Sequence, residues 1–393
     1  MFRVTGECGV ARCGLLGTSG GSIPTPAMLI SASHGDTHTL TPDSMERLGP
    51  VGLMINPIDF IDCPRLEAVV QNSSDVRKFW ALSSPCVVSI PRDPTAFEYG
   101  VKPSSDQGAH VMAHTGGKLM LNSVFLSINE ALRPDILMSL CDDIPANSSK
   151  RRIALSVKRT FKWLDDCLEH AKTKDMNSKV WGSITGASSV EQRERSAKQA
   201  ASREVDGFVL CGFGTGEAFE ERPSLWKTIM DELPPEKPRA IVGMGNPDEI
   251  LAAVGAGIDF FDGAYVINTS RAGYALTFPL DFEDSAAWSS LNAELELGED
   301  DTKINMLSLK HRLDSSPVLK GCECYCCQRH SRAYIHHLIQ THEMLGSVLL
   351  HMHNTHHMLK FFESVRSSIH NGVFSEHVEK LASRRANFLA KRS

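Results

Sequence analysis

Short apolar runs alternate with longer amphipathic stretches along the first 270 residues of the chain. The runs that are short and apolar enough for buried strands are residues 27–32, 51–55, 87–90, 136–140, 207–211, 240–244 and 260–261. The stretches with helical three- and four-residue spacing are residues 152–172, 190–203, 224–233 and 247–256. Because strand followed by helix requires parallel strands joined by crossovers, the pattern predicts an α/β fold, either a doubly wound sheet or a barrel.

Two features of the pattern locate boundaries. Asn246 followed by Pro247 is typical of a helix start, with Asn as the cap and Pro at the first helical position. Residues 280–301 are acidic and rich in Ser, which predicts a loop or linker. Beyond it, residues 334–369 keep helical spacing and are expected to be mostly helical, with Gly346 as the weak point.

The composition narrows the class of protein. The 393 residues are 42% hydrophobic and 22% charged, which is typical of a globular chain and excludes a disordered or fibrous one. No run approaches the roughly 20 apolar residues that a membrane helix needs, and the N-terminus does not have the order of a secretory signal. We therefore expect an intracellular protein without an integral membrane segment, whose eleven cysteines are mostly reduced.

Charge and histidine are distributed unevenly. From residue 303 to residue 393 there are 13 Lys and Arg against 6 Asp and Glu, a net +7, and the preceding residues carry a net −13. Eleven of the 16 histidines follow residue 310. A basic C-terminal quarter on an acidic body favours contact with a polyanion or an acidic partner, and the histidines favour metal binding.

The strongest chemical signal is four cysteines in six positions, Cys322, Cys324, Cys326 and Cys327. Three thiolates from a tight loop and one imidazole from a following helix form a closed tetrahedral zinc site, which is structural because no coordination position stays open. One cysteine is then surplus. Spacing alone leaves four histidines as candidates for the fourth ligand: His351, His353, His356 and His357.

These residues resemble the zinc subdomain of the tRNA-guanine transglycosylases. The matching stretches are C-x-C-x-x-C from residue 322, S-R-A-Y-I-H-H-L from 331, E-M-L-G from 343 and H-N from 353. The family pattern implies one structural Zn2+ per chain, and it selects as ligands Cys322, Cys324, Cys327 and His353.

The resemblance continues upstream with lower fidelity. Residues 237–247 are similar to the family's P-R-Y-L-M-G-V-G-x-P segment, and residues 257–262, G-I-D-F-F-D, are similar to its nucleophile strand. The implied fold is an irregular (β/α)8 barrel with an inserted zinc-binding subdomain and C-terminal helices. The implied division is a barrel over residues 1–310, a Cys3His zinc subdomain over 311–357 and a helical segment over 358–393 that packs on the barrel.

The family reaction exchanges a base in the tRNA anticodon, and it needs a nucleophilic aspartate and a second aspartate that handles protons. Asp262 is similar in position to the nucleophile. The loop that carries the second aspartate corresponds to residues 83–98, where Asp93 is the nearest carboxylate. A further family aspartate, which reads the base edge, corresponds to Cys141, and the family's base-pocket glutamine corresponds to Thr185. The resemblance therefore implies that no residue here is catalytic and that Asp262 is a vestigial nucleophile.

A degraded pocket beside an intact zinc module is similar to the non-catalytic half of the family's eukaryotic heterodimer, which exchanges guanine for queuine at the wobble position. We therefore expect a catalytic queuine tRNA-ribosyltransferase subunit and tRNA as partners, with a homodimer when the chain is alone. The phosphate contacts are expected from basic residues such as Arg329, Arg332 and Lys360. That branch of the family implies a cytoplasmic location with peripheral attachment to the mitochondrial outer membrane.

Three alternatives stay open at this stage. The chain could be an active transglycosylase with Asp262 as nucleophile and Asp93 or Asp142 as a relocated base. It could also be a barrel that binds a free base or nucleoside. Finally, the glycine-rich loop at residues 212–216 could cradle a phosphate, although it does not have the G-x-G-x-x-G spacing.

Overall fold

The computed structural model of the protein describes residues 1–18, 21–32, 37, 39–49, 51–62, 66, 69, 76–82, 85–95, 102–113, 115–280, 301–383 and the backbone of 384–390. The predicted loop at 280–301 lies almost wholly outside the described residues. The chain forms two compact units, one of residues 1–5, 9–38 and 42–264 and one of residues 6–8, 39–41 and 265–393. None of the described helices is long and apolar enough to span a membrane.

The first unit contains a closed barrel of eight parallel strands, which confirms the predicted α/β class and barrel fold. In barrel order the strands are β4 (Ala27–Ser31), β5 (Gly52–Ile55), β6 (Cys86–Ser89), β9 (Ile136–Met138), β10 (Lys179–Ile184), β11 (Gly207–Leu210), β12 (Arg239–Ile241) and β13 (Phe260–Phe261). Strand β13 pairs with β4 and closes the ring. The catalytic face of such a barrel is the one at the C-terminal ends of its strands.

The sequence pattern predicted seven of these eight strands and missed β10. The apolar pattern of that strand is too short to predict a strand, because Gly182 and Ser183 interrupt it. Ser183 is nevertheless fully buried, and its hydroxyl donates to the Ser139 carbonyl at 2.5 Å. The hydrogen bond satisfies a polar side chain inside the barrel, so the residue that weakens the sequence signal does not weaken the strand.

Other strands depart from a regular barrel. Strands β1 (Phe2–Cys8), β2 (Ala11–Thr18) and β3 (Gly21–Thr25) form a three-stranded sheet, and β7 (Gly108–Ala113) and β8 (Gly116–Leu121) form a hairpin between β6 and β9. The insertion makes the (β/α)8 architecture irregular, as expected.

The helices of the first unit are α1 (Pro42–Glu46), α2 (Asp59–Asp62), α3 (Val76–Phe79), α4 (Asn122–Leu132), α5 (Lys150–Thr173), α6 (Val190–Ala201), α7 (Arg222–Met230) and α8 (Pro247–Gly255). Helix α9 (Ala264–Arg271) begins at the end of the first unit and continues into the second. The four predicted helices correspond to α5 through α8. Asn246 caps α8 as expected, and Glu249 completes a capping box with it.

Large side chains from the strands fill the barrel interior. Trp181 and Phe260 lie with their ring centroids 5.6 Å apart. Gly207 faces the indole ring so closely that a Cβ atom there would lie 2.7 Å from it. A glycine is therefore required on β11 for Trp181 to fill the barrel.

The second unit contains strands β14 (Tyr274–Leu276) and β15 (Lys303–Asn305), which pair antiparallel, and helices α10 (Tyr325–Arg329), α11 (Arg332–Gln340), α12 (Met344–His370) and α13 (Phe374–Ala390). The predicted long helix is divided at residues 341–343, where His342 has a φ of 57°. Gly346 lies inside the first turn of α12. A Cβ atom at this position would lie only 3.2 Å from the Cβ of Leu338, so the close approach of the two helices favours glycine here. The interruption therefore precedes the glycine.

A buried ion pair joins the N-terminal sheet to the barrel. Arg12 on β2 donates Nε to Oδ1 of Asp259 at 2.9 Å and Nη2 to Oδ2 at 2.6 Å. Asp259 is fully buried, and its Oδ2 also accepts the backbone N–H of Arg239. Removing one partner of such a pair leaves a buried charge without compensation.

We predict that Arg12→Leu lowers the free energy of unfolding by about 3–5 kcal/mol, because Asp259 then stays buried without its cation. The measurement is chemical denaturation of the purified chain. The control is Arg203→Gln, which removes an arginine bound to the half-exposed Asp165 and should cost less than about 1 kcal/mol. Equal losses in the two variants would contradict the prediction.

Candidate metal centre and barrel mouth

Three cysteine sulfurs converge in the second unit. The chain turns at Gly321, whose φ is 79°, and α10 then begins with Cys324 as its cap. The Cys324 sulfur accepts the backbone N–H of Cys327 at 3.3 Å. Because a helix begins directly after the loop, cysteines two and three positions apart in the sequence direct their sulfurs toward one point. This is the geometry that the C-x-C-x-x-C spacing predicts.

His353 on α12 completes the cluster. Its Nε2 lies 2.7 Å from the carbonyl oxygen of Leu276, and since that oxygen can only accept, Nε2 carries the proton. In the neutral ring that a metal ion requires, Nδ1 then directs its lone pair toward the sulfurs of Cys322, Cys324 and Cys327, at 3.8, 3.5 and 3.3 Å. A hydrogen bond from the second ring nitrogen to a carbonyl is the arrangement that orients metal-binding histidines.

The four groups fit a tetrahedral metal ion. Their ligand atoms lie within 4.8 Å of one another. Bond lengths of about 2.3 Å to sulfur and 2.0 Å to nitrogen place S and N about 3.5 Å apart across a tetrahedron, close to the observed separations. His353 is fully buried, and Cys324 and Cys327 are buried as well. The cluster could therefore hold a metal, and it is closed by four protein ligands.

The remaining candidate residues make other contacts. His351 Nδ1 lies 3.2 Å from the Thr39 hydroxyl, and the ring of His357 packs edge-on against Phe278. Cys326 is fully buried in the apolar core of the second unit. Of the four histidines that spacing left open, the fold brings His353 to the sulfurs.

The thiols of the cluster influence one another strongly. Hydrogen bonds from Cys322, then Cys326 and Cys327, hold the pKa of Cys324 far below its ordinary value. The pKa of Cys327 is raised, first by its contacts with Cys322 and Cys324. The cluster thus favours a thiolate at Cys324 that accepts hydrogen bonds from the neighbouring thiols. A divalent cation would take the place of the protons on those thiols.

Asp262 lies at the end of β13, on the C-terminal face of the barrel. Its Oδ2 accepts the N–H of Gly243 at 2.7 Å, and its Oδ1 accepts the N–H of Ala264 at 2.8 Å. Only 3% of the residue is exposed. Burial raises the pKa of Asp262 to about 6, against the opposing effect of these N–H groups and of Arg92. Its carboxylate oxygens are thus both bound to the backbone.

The two carboxylates considered as a relocated base are bound elsewhere. Asp142 is fully buried and accepts two hydrogen bonds of 2.7 Å from Arg152. Asp93 accepts the N–H and the hydroxyl of Thr95, both at 2.8 Å. Asp142 is thus neutralised by a guanidinium, whereas both contacts of Asp93 use Oδ1.

Cys141 lies at the same face with Asp143 and Cys211, their ligand atoms within 4.8 Å of one another. Contact with Cys211, together with burial, raises the pKa of Cys141 well above its ordinary value. Asp143 pairs with Arg92 at 3.2 Å, so a cation at this cluster would compete with a guanidinium. Cys141 therefore presents a neutral thiol at the position where the family has an aspartate.

Arg193 on α6 holds two loops of the barrel mouth together, which the sequence did not indicate. It is fully buried and donates to the carbonyls of Ala187, Cys211 and Gly212. Its guanidinium lies 4.2 Å from the ring centroid of Phe213. A buried arginine inside an amphipathic helix looks like any surface cation in the sequence, and only its tertiary contacts reveal its role.

The glycine-rich loop at residues 212–216 does not offer its amides to a ligand. Glu217 accepts the N–H of Gly214 at 2.7 Å and that of Thr215 at 2.9 Å. The same carboxylate pairs with Arg222. A side chain of the protein occupies the anion position, and the phosphate-loop interpretation is not supported.

The closed parallel barrel and the Cys3His cluster that follows it in the chain agree with the family whose motifs the sequence resembles. Residues 7–387 match the family model described as queuine tRNA-ribosyltransferase, and the chain belongs to that family. It is 35% identical to queuine tRNA-ribosyltransferase accessory subunit 2 of Ixodes scapularis, over 90% of this chain and 92% of the relative. The protein of the same description from Danio rerio is 32% identical over 94% of both chains. A queuine tRNA-ribosyltransferase of Thermus thermophilus is 27% identical over 98% of this chain and 94% of the relative.

We predict that the purified chain contains one tightly bound zinc and that Cys324→Ser loses it, because three ligands hold the ion far more weakly than four. Metal analysis by mass spectrometry gives the stoichiometry, and thermal unfolding shows the accompanying loss of stability. Cys326→Ser is the matched control, with the same chemical change two residues away, and it should keep its zinc. A Cys324→Ser chain with full zinc content would contradict the prediction.

Proposed function

We propose that this chain is the non-catalytic accessory subunit of a two-subunit queuine tRNA-ribosyltransferase. In that assembly it pairs with the catalytic subunit and helps to position the tRNA whose wobble guanine is exchanged for queuine. The two eukaryotic relatives described as accessory subunit 2 support this assignment. We include in the proposal a cytoplasmic location and peripheral attachment to the mitochondrial outer membrane, which the family resemblance implies.

The observation that carries the proposal is the state of the carboxylates at the barrel mouth. Base exchange needs a nucleophile and a second group that transfers protons. Asp262 keeps the first position, but Asp142 is bound to Arg152 and Asp93 to Thr95. Cys141 adds a neutral thiol where a carboxylate would be needed. Of the groups considered for the second role, Asp142 is therefore neutralised by its ion pair and Cys141 is a thiol, and these two features support the non-catalytic assignment.

We assign a structural role to zinc at Cys322, Cys324, Cys327 and His353. The site joins the cysteine loop to α12, and Asn354, the next residue, bonds to Ser270, Tyr274 and Leu276. Zinc would thus hold the loop, the long helix and β14 in one arrangement. With four protein ligands there is no open position for catalysis.

The partner surface that we propose is an apolar patch on the second unit. Among the apolar residues of α11 and α12, Leu338 and Leu349 are buried in the core. Tyr334 and Leu345 are exposed, at 40% and 41%. The other exposed large apolar residues between positions 307 and 345 are Leu307, Leu309, Leu313, Tyr325 and Met344. We call these seven exposed residues the apolar patch.

Local contacts connect two residues of the patch, Tyr325 and Tyr334. The ring of His330 stacks on Tyr334 with centroids 5.2 Å apart, and Tyr325 packs edge-on against His330. The segment after Leu313 is tied to α11, since Arg332 and Ala333 donate backbone N–H groups to Ser316 and Asp314. A patch of this kind marks a protein interface more often than a free surface. The catalytic subunit is the proposed occupant, and a second copy of this chain occupies it when that subunit is absent.

We predict that the chain alone incorporates no labelled guanine into tRNA, and that Asp262→Asn leaves the exchange rate of the reconstituted complex within about twofold of the unsubstituted complex. The reason is that the acting nucleophile belongs to the partner. The measurement is incorporation of labelled guanine into tRNA, with thermal unfolding to check the variant's fold. A covalent tRNA adduct on this chain, or loss of exchange with a folded variant, would instead identify an active transglycosylase that uses Asp262.

We further predict that Leu309→Asp with Tyr334→Asp weakens association with the catalytic subunit at least 100-fold, because two buried charges would face an apolar interface. Sedimentation of the mixed subunits measures the association. Val190→Asp, at an exposed apolar position of the first unit, is the control and should leave association unchanged. If the double variant still assembles normally, the patch is not the interface.

A third function is the binding of a free base or nucleoside by the barrel. Calorimetry with guanine and queuine in the absence of tRNA tests it. We expect no binding by the chain alone.

A further inference from the structure

The first part of helix α5 has an unusual charge pattern. Residues 150–164 contain six cations and no acid. They are Lys150, Arg151, Arg152, Lys158, Arg159 and Lys162. The positive end of the helix dipole lies at the same end of the helix, so cations there are disfavoured unless something negative compensates them.

Two of the six cations have internal partners. Arg152 binds the buried Asp142 with both of its terminal nitrogens. Arg159 binds Asp106 at 2.7 Å and lies 3.4 Å from Asp142. These two aspartates compensate the two arginines, which leaves an excess of four positive charges.

The other four, Lys150, Arg151, Lys158 and Lys162, are exposed, and none forms an ion pair with a residue that the structure describes. Lys158 and Lys162 lie near Asp106. The pKa of Asp106 is lowered mainly by Arg159 and to a smaller extent by these two lysines. That acid already binds Arg159. We call these four residues the α5 basic face.

Several other exposed lysines of the first unit have carboxylate partners on or next to their own helices. Lys198 pairs with Glu194 on α6, and Lys227 pairs with Asp231 at the end of α7. Lys174, just after α5 ends, pairs with Glu130. Single exposed lysines without an ion pair also occur elsewhere in the described part of the chain, for example Lys102 and Lys320, but the α5 basic face gathers four such cations on one helix.

The position and shape of the face suit a phosphate backbone. Helix α5 follows β9, so its N-terminus lies at the C-terminal end of the barrel strands, the end that also carries Asp262. Arg151, Lys158 and Lys162 are spaced by seven and four residues, which places them on one side of the helix. They extend over about 16 Å, enough to meet several successive phosphates.

The basic residues expected from the sequence are less available. Arg332 is buried and donates to the Val318 carbonyl and to Asp314, and Lys360 pairs with Glu363. Of the three named residues Arg329 stays exposed. The net charge of the C-terminal quarter therefore overstates the number of cations there that are ready to bind a polyanion.

We propose that the α5 basic face binds the sugar-phosphate backbone of folded RNA, and that in the assembled enzyme this RNA is the tRNA. Identification of the RNA as tRNA rests on the proposed function. A membrane or an apolar protein surface fits less well, because the apolar side of α5 is directed inward with Ile153, Val157 and Phe161 buried. Phosphate binding through Lys and Arg needs no apolar contribution.

The test compares two triple variants in the reconstituted complex. One, Arg151→Gln with Lys158→Gln and Lys162→Gln, removes three charges from the face. The control, Lys174→Gln with Lys198→Gln and Lys227→Gln, removes three exposed charges that have carboxylate partners. We expect the first to weaken tRNA binding at least 10-fold at low salt and to reduce the slope of log K against log salt by about 2 to 3. The control should weaken binding less than twofold.

Equal losses in the two variants, or no loss in the first, would overturn the proposal. The proposal would also be overturned if the triple variant of the face lost its association with the catalytic subunit but, as an isolated chain, kept its affinity for tRNA. The face would then be a protein interface. The same titration on the chain alone separates this inference from the proposed function. If the chain ignores the catalytic subunit but the first variant still loses tRNA binding, the accessory role fails and the RNA-binding face stands.

Discussion

The hydrogen bond from His353 Nε2 to the Leu276 carbonyl determines the arrangement of the second unit. It fixes which ring nitrogen faces the three sulfurs, and the neighbouring Asn354 bonds to β14 and α9. Because the imidazole is fully buried, it cannot exchange this partner for water. The position of α12 then sets which residues enter the core and which stay exposed, so Leu349 is buried while Leu345 contributes to the apolar patch.

The barrel mouth shows how a catalytic face can keep its architecture while its polar groups bind one another. Asp262 is bound to backbone N–H groups, Asp142 to Arg152, and Glu217 to the amides of the glycine-rich loop. Arg193 connects the loops from inside. Each contact satisfies a buried polar group that would otherwise be costly to leave unpaired.

Electrostatic contacts divide the basic residues into two groups. Arg12, Arg193 and Arg332 are buried and stabilise loops or strands, whereas the α5 basic face extends into solvent. Net charge counts both groups equally, although a buried cation that is already paired contributes little to attracting a polyanion. The distinction depends on which carboxylates the fold brings within reach of each cation.

The apolar pattern of the sequence determined the α/β class, because buried parallel strands and their helices leave periodic patterns in the chain, and the family resemblance selected the barrel over a doubly wound sheet. The sequence also identified the cysteine loop, since close spacing is a local property. Strand β10 escaped the pattern because Ser183 is satisfied by Ser139, a residue 44 positions away. The choice of His353 among four histidines and the pairing of Asp142 with Arg152 were decided by tertiary structure, as was the burial of Arg193. These outcomes depend on which distant groups meet, and hydrogen bonds between distant residues leave no period in a sequence.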